Sequence, residues 1–190
     1  MGRKSQYAGK IMKGGAMQSQ PGADLLTALE AKGWSIQRSD SSGPLVPPEL
    51  SGRYPRLPAE LVEFLQAMDS CVNADETVWF LCREDYRRTD GESFRWNEFE
   101  LMCLEDNDAD ARDRIRRFWD LHFPIMLCVH SDYDYLAVSL DEQSYGQIVH
   151  GCGPEFEETT TIAGSFTQFL AMFGESARGH RDDYPLSMFL

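Results

Sequence analysis

An α+β fold, with a mainly antiparallel sheet packed with helices, is the class this sequence predicts, and three observations predict it. In the C-terminal half, strand-like segments follow one another through tight polar connections, the pattern of an antiparallel meander. Separate segments before and after them carry apolar residues at helical spacing. The chain has 190 residues, 42% of them hydrophobic, which is enough for one sizeable core and favours a single domain.

Along the chain, residues 1–22 are rich in Gly, Gln, Ser and Lys without an apolar period, and read as a disordered leader. Asp24 is placed to cap a helix with Leu25, Ala28 and Leu29 on its apolar side and Gly33 as its stop. Residues 39–56, with prolines at 44, 47, 48 and 55, read as an extended loop. A second helix starts at Leu57-Pro58, and Leu61, Phe64, Leu65 and Met68 form its buried stripe. Thr77–Cys82 reads as a strand, and so does Phe94–Cys103 from its partial alternation. Asn107 or Asp108 then caps a helix bearing Ile115, Phe118, Trp119 and His122 on one face. The meander consists of Pro124–His130, Tyr135–Leu140 and Tyr145–His150. A last helix spans 162–173, with Ile162, Phe166, Phe169, Leu170 and Phe173 on its apolar side and Gly174 as its stop, and 175–190 reads as an irregular tail.

Two stretches carry a family resemblance. Leu57-Pro58-Ala-Glu-Leu61-Val-Glu-Phe64-Leu65 resembles the N-terminal helix start of SUKH domains. The run from Tyr145-Gly146 through Phe156-Glu157-Glu158 to Ile162-Ala163 and Ser165-Phe166 is similar to the closing half of the same superfamily. The resemblance spans residues 23–174, so those residues are expected to form one SUKH-like domain between the leader and the tail. It implies the α+β fold and a role in binding another protein, since the superfamily includes bacterial toxin-immunity proteins and fungal regulators of cell-wall assembly.

Charge narrows the partners. The formal net charge is −13, but residues 1–22 hold four basic groups and no acidic ones, so the remainder carries 14 basic against 31 acidic groups, or −17. That surface repels nucleic acid and anionic membranes and attracts basic partners. No apolar stretch approaches the roughly 18 residues needed to span a bilayer, and no apolar segment of a secretory signal follows the basic start. Five cysteines, an odd number with no C-x-x-C pair, fit free thiols in a reducing compartment. A cytoplasmic location is expected.

Patterns for chemistry are weak. Asp106, Asp108 and Asp110 have the spacing of calcium ligands, but Ala111 stands at the turn glycine and Arg117 at the twelfth position, so a helix N-terminal acidic cluster fits better. Asp132 and Asp134 beside a strand turn read as solvated turn carboxylates rather than a cation site. Cys128, His130, His150 and Cys152 are a zinc-compatible set and the only candidates for a Cys/His nucleophilic pair, yet their spacing matches no zinc pattern. A Gly-rich phosphate loop, a Ser elbow and a His-Glu-x-x-His stretch are all absent. No catalytic residue, metal or cofactor is expected.

A binding surface is better supported, because aromatic residues alternate with acidic ones around the meander. Asp132, Tyr133, Asp134, Tyr135, Glu155, Glu157 and Glu158 are the candidate partner-binding residues, with Tyr133, Tyr135, Glu157 and Glu158 expected to face outward. Aromatic anchors supply buried area, and rim carboxylates set on-rate and register. With the resemblance, these residues imply an immunity protein that binds and neutralises a cognate toxin with a basic surface, for which a nuclease would suit. The alternative is a regulatory scaffold like the fungal relatives.

Overall fold

Among the described residues, one seven-stranded antiparallel sheet, with its strands side by side in chain order, organises the computed structural model. The structure describes residues 20–41, 43–88, 94–105, 107–130 and 133–190. The strands are β1 (Ser35–Arg38), β2 (Met68–Val72), β3 (Val78–Phe80), β4 (His122–Cys128), β5 (Asp134–Ser139), β6 (Ile148–Cys152) and β7 (Thr159–Ala163). The expected meander therefore extends through the whole sheet.

Helices lie on both faces of this sheet. On one side are α1 (Gln20–Ala31), α3 (Ala59–Gln66) and α6 (Phe166–Ala177), and on the other α4 (Glu98–Glu105) and α5 (Ala109–Asp120). Adjacent residues of β3 reveal the division, because neighbours in a strand point to opposite faces. Phe80 meets Trp34, Phe64, Phe169 and Phe173, whereas Trp79 meets Phe94, which in turn packs on Phe99 of α4. Covered on both faces, all six residues of β5 and six of the seven in β4 are buried. Such strands read as continuous apolar runs rather than clean alternation, which is the pattern of Pro124–Cys128.

Several local signals act as expected. Gly33 adopts φ +91° just past α1, and Trp34 N–H donates to Leu29 O at 3.1 Å, closing the helix. Pro58 immediately precedes α3. Asp108 caps α5, its Oδ1 accepting from Ala111 N at 2.9 Å, which leaves that carboxylate a capping role. Asp106 lies outside the described residues.

Other expectations are corrected. Residues 1–19 lie outside the described residues, but Gln20–Gly22 already belong to α1, so Asp24 sits within that helix and not at its cap. The loop 39–56 contains a short helix, α2 (Pro48–Arg53). Met68 opens β2 instead of ending α3. Within Phe94–Cys103, residues 98–103 belong to the helix α4, not to a strand. There Phe99 and Glu100 turn inward together, Phe99 to the sheet and Glu100 to Arg53 on α2, which strand alternation would prevent. Ile162 lies in β7, within a β-branched Thr-Thr-Thr-Ile run, and α6 begins only after Ser165, whose hydroxyl accepts from Gln168 N. Gly174 does not stop α6 but lies within it, buried near α1, where a Cβ would stand at ordinary contact distance, 3.7 Å, from Leu25 Cα. Residues 175–190 are not an irregular tail throughout. They finish α6 and return as a 3-10 turn (Leu186–Phe189) that buries Leu186 and Phe189 in the core.

After β3, a 3-10 turn (Asp85–Arg87) is tied by Asp85 Oδ2, which accepts from Cys82 N at 2.7 Å. Burial raises the Asp85 pKa above its ordinary 3.8, against the opposing pull of the Cys82 N–H. A carboxyl raised in the folded state costs stability once pH exceeds its folded pKa and costs nothing below its unfolded value. Asp85→Asn keeps an acceptor for Cys82 N. The variant is expected to be more stable than the parent at pH 7, with the difference vanishing as pH falls below about 3.8, in urea melts across that range.

Candidate functional site

The acidic and aromatic candidates gather where the β4–β5 and β6–β7 connections meet at one end of the sheet. Gly153 N–H donates to Tyr133 O at 3.1 Å and joins the two turns. Phe156 anchors the second turn: it is buried, stacks on Phe99 with centroids 4.8 Å apart, and its carbonyl accepts the Tyr135 hydroxyl at 2.5 Å. With Phe156 held inside, Glu155, Glu157 and Glu158 are left exposed around it. Tyr133, at φ +56°, is 40% exposed while its ring rests against Phe99 and Phe94. An exposed amphipathic ring and exposed carboxylates carried by two joined turns at the same end of the sheet suit recognition of a basic surface.

Two candidates do not belong to this surface. Tyr135 and Asp134 are buried in β5, and neither is presented to a partner. Tyr135 faces the α4–α5 layer, against Trp119 at 4.9 Å, and Asp134 meets His150 Nε2 at 2.7 Å on the opposite face. Because helices cover both faces, alternation along β5 leaves no outward side. Asp132 lies outside the described residues.

Tyr135 also covers Gly151, its cross-strand partner in β6. A Cβ at Gly151 would stand 2.5 Å from the Tyr135 ring, which its bond to Phe156 and its contact with Trp119 prevent from moving aside. Gly151→Ala is expected to cost about 1–3 kcal/mol, the usual range for overpacking, read as a lower urea midpoint at unchanged slope.

The cysteine and histidine set is not assembled as a ligand cluster. His150 is engaged by Asp134, His130 is exposed, and the Cys128 thiol lies 3.8 Å from Met188 O. Among the described residues, no group of three or more His, Cys, Asp or Glu is placed to hold a metal ion. Burial pushes the Cys71 thiol up to about 12, and burial followed by the neighbouring Glu157 does the same to Cys103. Such thiols remain protonated at neutral pH and are poor nucleophiles.

Sequence reasoning missed a groove beside the acidic turn. It encloses about 540 Å³ between β7, α6 and the C-terminal segment, with His150, Glu158, Thr160, Met172, Asp182 and Tyr184 among its lining. The apolar residues Leu186 and Phe189, spaced three apart near the C-terminus, were the available signal that this segment returns to the core.

No helix among the described residues is long and apolar enough to cross a membrane. No curated protein matches the chain. The model of the SMI1/KNR4 family (SUKH-1) matches residues 55–172, which run from just before α3 through β2–β7 into α6. With more than half of its length matched, and with the α+β architecture described above, this chain belongs to the SMI1/KNR4 family (SUKH-1).

Proposed function

We propose that this protein acts by binding rather than catalysis, as a cytoplasmic immunity protein that covers the working surface of a cognate toxin. The observation that carries the reading is the cluster of exposed Tyr133, Glu155, Glu157 and Glu158 on a SUKH-1 domain. A nuclease toxin needs a basic cleft to hold phosphates, and an acidic surface can occupy that cleft in place of substrate. The net charge of −13 adds long-range steering to the contact.

The test is capture of the partner from native lysate at low and high salt, followed by co-expression with it in a growth assay. One dominant toxin, neutralised by the wild-type chain, is the expected result. Glu155→Lys/Glu157→Lys is expected to weaken that complex roughly tenfold, mainly through a slower on-rate, and the loss should shrink as salt rises. Several unrelated regulatory partners and no neutralised toxin would favour the scaffold reading instead.

A further inference from the structure

At β7 the sheet ends, and this strand has a neighbour on one side only among the described residues. An unpaired edge presents backbone N–H and C=O groups to any extended chain, and proteins usually blunt such edges with Lys, Pro or bulges. The opposite edge, β1, has a register shift at Gln37/Arg38 and carries Arg38 in an ion pair with Glu30. In β7, Thr159, Thr160 and Thr161 are exposed, β-branched and uncharged, and the register shift there comes only afterwards, at Ile162. The groove described above opens along this same strand.

Charge selects the occupant. Glu158, Asp182 and Asp183 line the groove, and Arg181, its one arginine among the described residues, is already paired with Asp183. Behind His150 in the groove wall lies the buried carboxylate of Asp134, whose Oδ2 has no hydrogen-bond partner among the described residues. The wall formed by residues 181–186 lies beyond the 55–172 span matched by the family model.

We infer that the β7 edge and its groove bind an extended, basic segment of the partner protein, which adds a strand to the sheet and sets an arginine or lysine side chain between Glu158 and Asp182. Main-chain bonds to Thr159–Thr161 supply register, and the carboxylates supply selection for a cation. The inference rests on the reading of a basic protein partner and deepens it.

The probe is an acetylated eight-residue peptide of alternating arginine and threonine, which as a strand puts all its arginines on one face. A matched peptide with glutamate for arginine is the control. Titrated into the full-length protein, the arginine peptide is expected to shift the amide resonances of Thr159–Ala163, and the glutamate peptide is not. Glu158→Lys/Asp182→Lys should weaken the arginine peptide at least tenfold. Glu63→Lys/Glu142→Lys, the same charge change at exposed sites elsewhere, should leave it within about threefold.

Equal losses in both variants, or shifts confined to other residues, would overturn the inference. So would slow amide exchange at Thr159–Thr161 in the protein alone, which would mean that a second copy or the chain's own basic residues 1–19 already cover the edge. If Glu158→Lys/Asp182→Lys neutralises the toxin as well as the parent does, immunity stands and the groove is removed from it. If the peptide binds at β7 but no toxin is neutralised, the groove stands and immunity falls.

Discussion

Phe80→Ala is expected to destabilise the domain by about 4 kcal/mol, near the middle of the range for a fully buried phenylalanine, and to lower Tm by roughly 8–16 °C for a chain of this length. Phe80 is 1% exposed and is the ring on which β1-side and helical elements converge. Trp34, Phe64, Phe169 and Phe173 all lie within 6.4 Å of it, centroid to centroid. These neighbours come from the link between α1 and β1, from α3 and from successive turns of α6, so collapse around the cavity would require several elements to shift together. Urea denaturation with an unchanged slope is the measurement. A loss below about 1 kcal/mol would mean that the aromatic cluster is not packed as described.

Glu100→Ala should cost about 2–3 kcal/mol for a different reason. The Arg53 guanidinium donates Nη1 to Glu100 Oε2 at 2.8 Å and Nη2 to Oε1 at 2.7 Å, a two-pronged pair, and its Nε reaches Asp120 Oδ1 at 2.7 Å. The Glu100 side chain is only 7% exposed, and the Arg53 cation lies over the rings of Tyr54 and Trp96. Burial by itself would lower the Arg53 pKa, but its bond to Glu100 and the nearby charges outweigh that, and the guanidinium stays charged. Removing the carboxylate leaves a desolvated cation short of partners, which is the costly way to break such a pair. Arg53 keeps Asp120 and 22% of its side-chain exposure, which holds the expected cost below that of a fully buried pair. The double variant Arg53→Met/Glu100→Leu should recover most of the loss, because apolar side chains of similar volume need no partners there. A double variant as unstable as the single one would show that the pair contributes shape rather than charge compensation.

Neither Phe80's role nor the Arg53–Glu100 pair was readable from local pattern. Phe80 was legible as part of a strand, but its four aromatic neighbours come from segments up to 93 residues away in the chain. Glu100 lay in a segment that alternation made look like a strand, and Arg53 in what read as a proline-rich loop. The candidate surface was legible in part. Tyr133, Glu157 and Glu158 are exposed as expected, and the candidate Glu155 is exposed with them, since turns carry their polar residues outward. Tyr135 and Asp134 were not legible, because alternation separates two faces of a strand without telling whether either of them meets water.

By itself the sequence determined the α+β class, the antiparallel order of the C-terminal strands, the helix start at Pro58, a second start at Asn107 or Asp108, the stop at Gly33 and the family. These rest on interactions among residues close in the chain, such as caps, turns and apolar periods, which act before any tertiary contact forms. Tertiary structure alone decided that residues 98–105 are helical, that Thr159–Ala163 closes the sheet, that Asp134 and Tyr135 are interior, and that residues 181–186 wall a groove. Each of those outcomes depends on burial against distant segments. Packing free energy summed over many contacts exceeds the few tenths of a kcal/mol by which most residues prefer helix or strand.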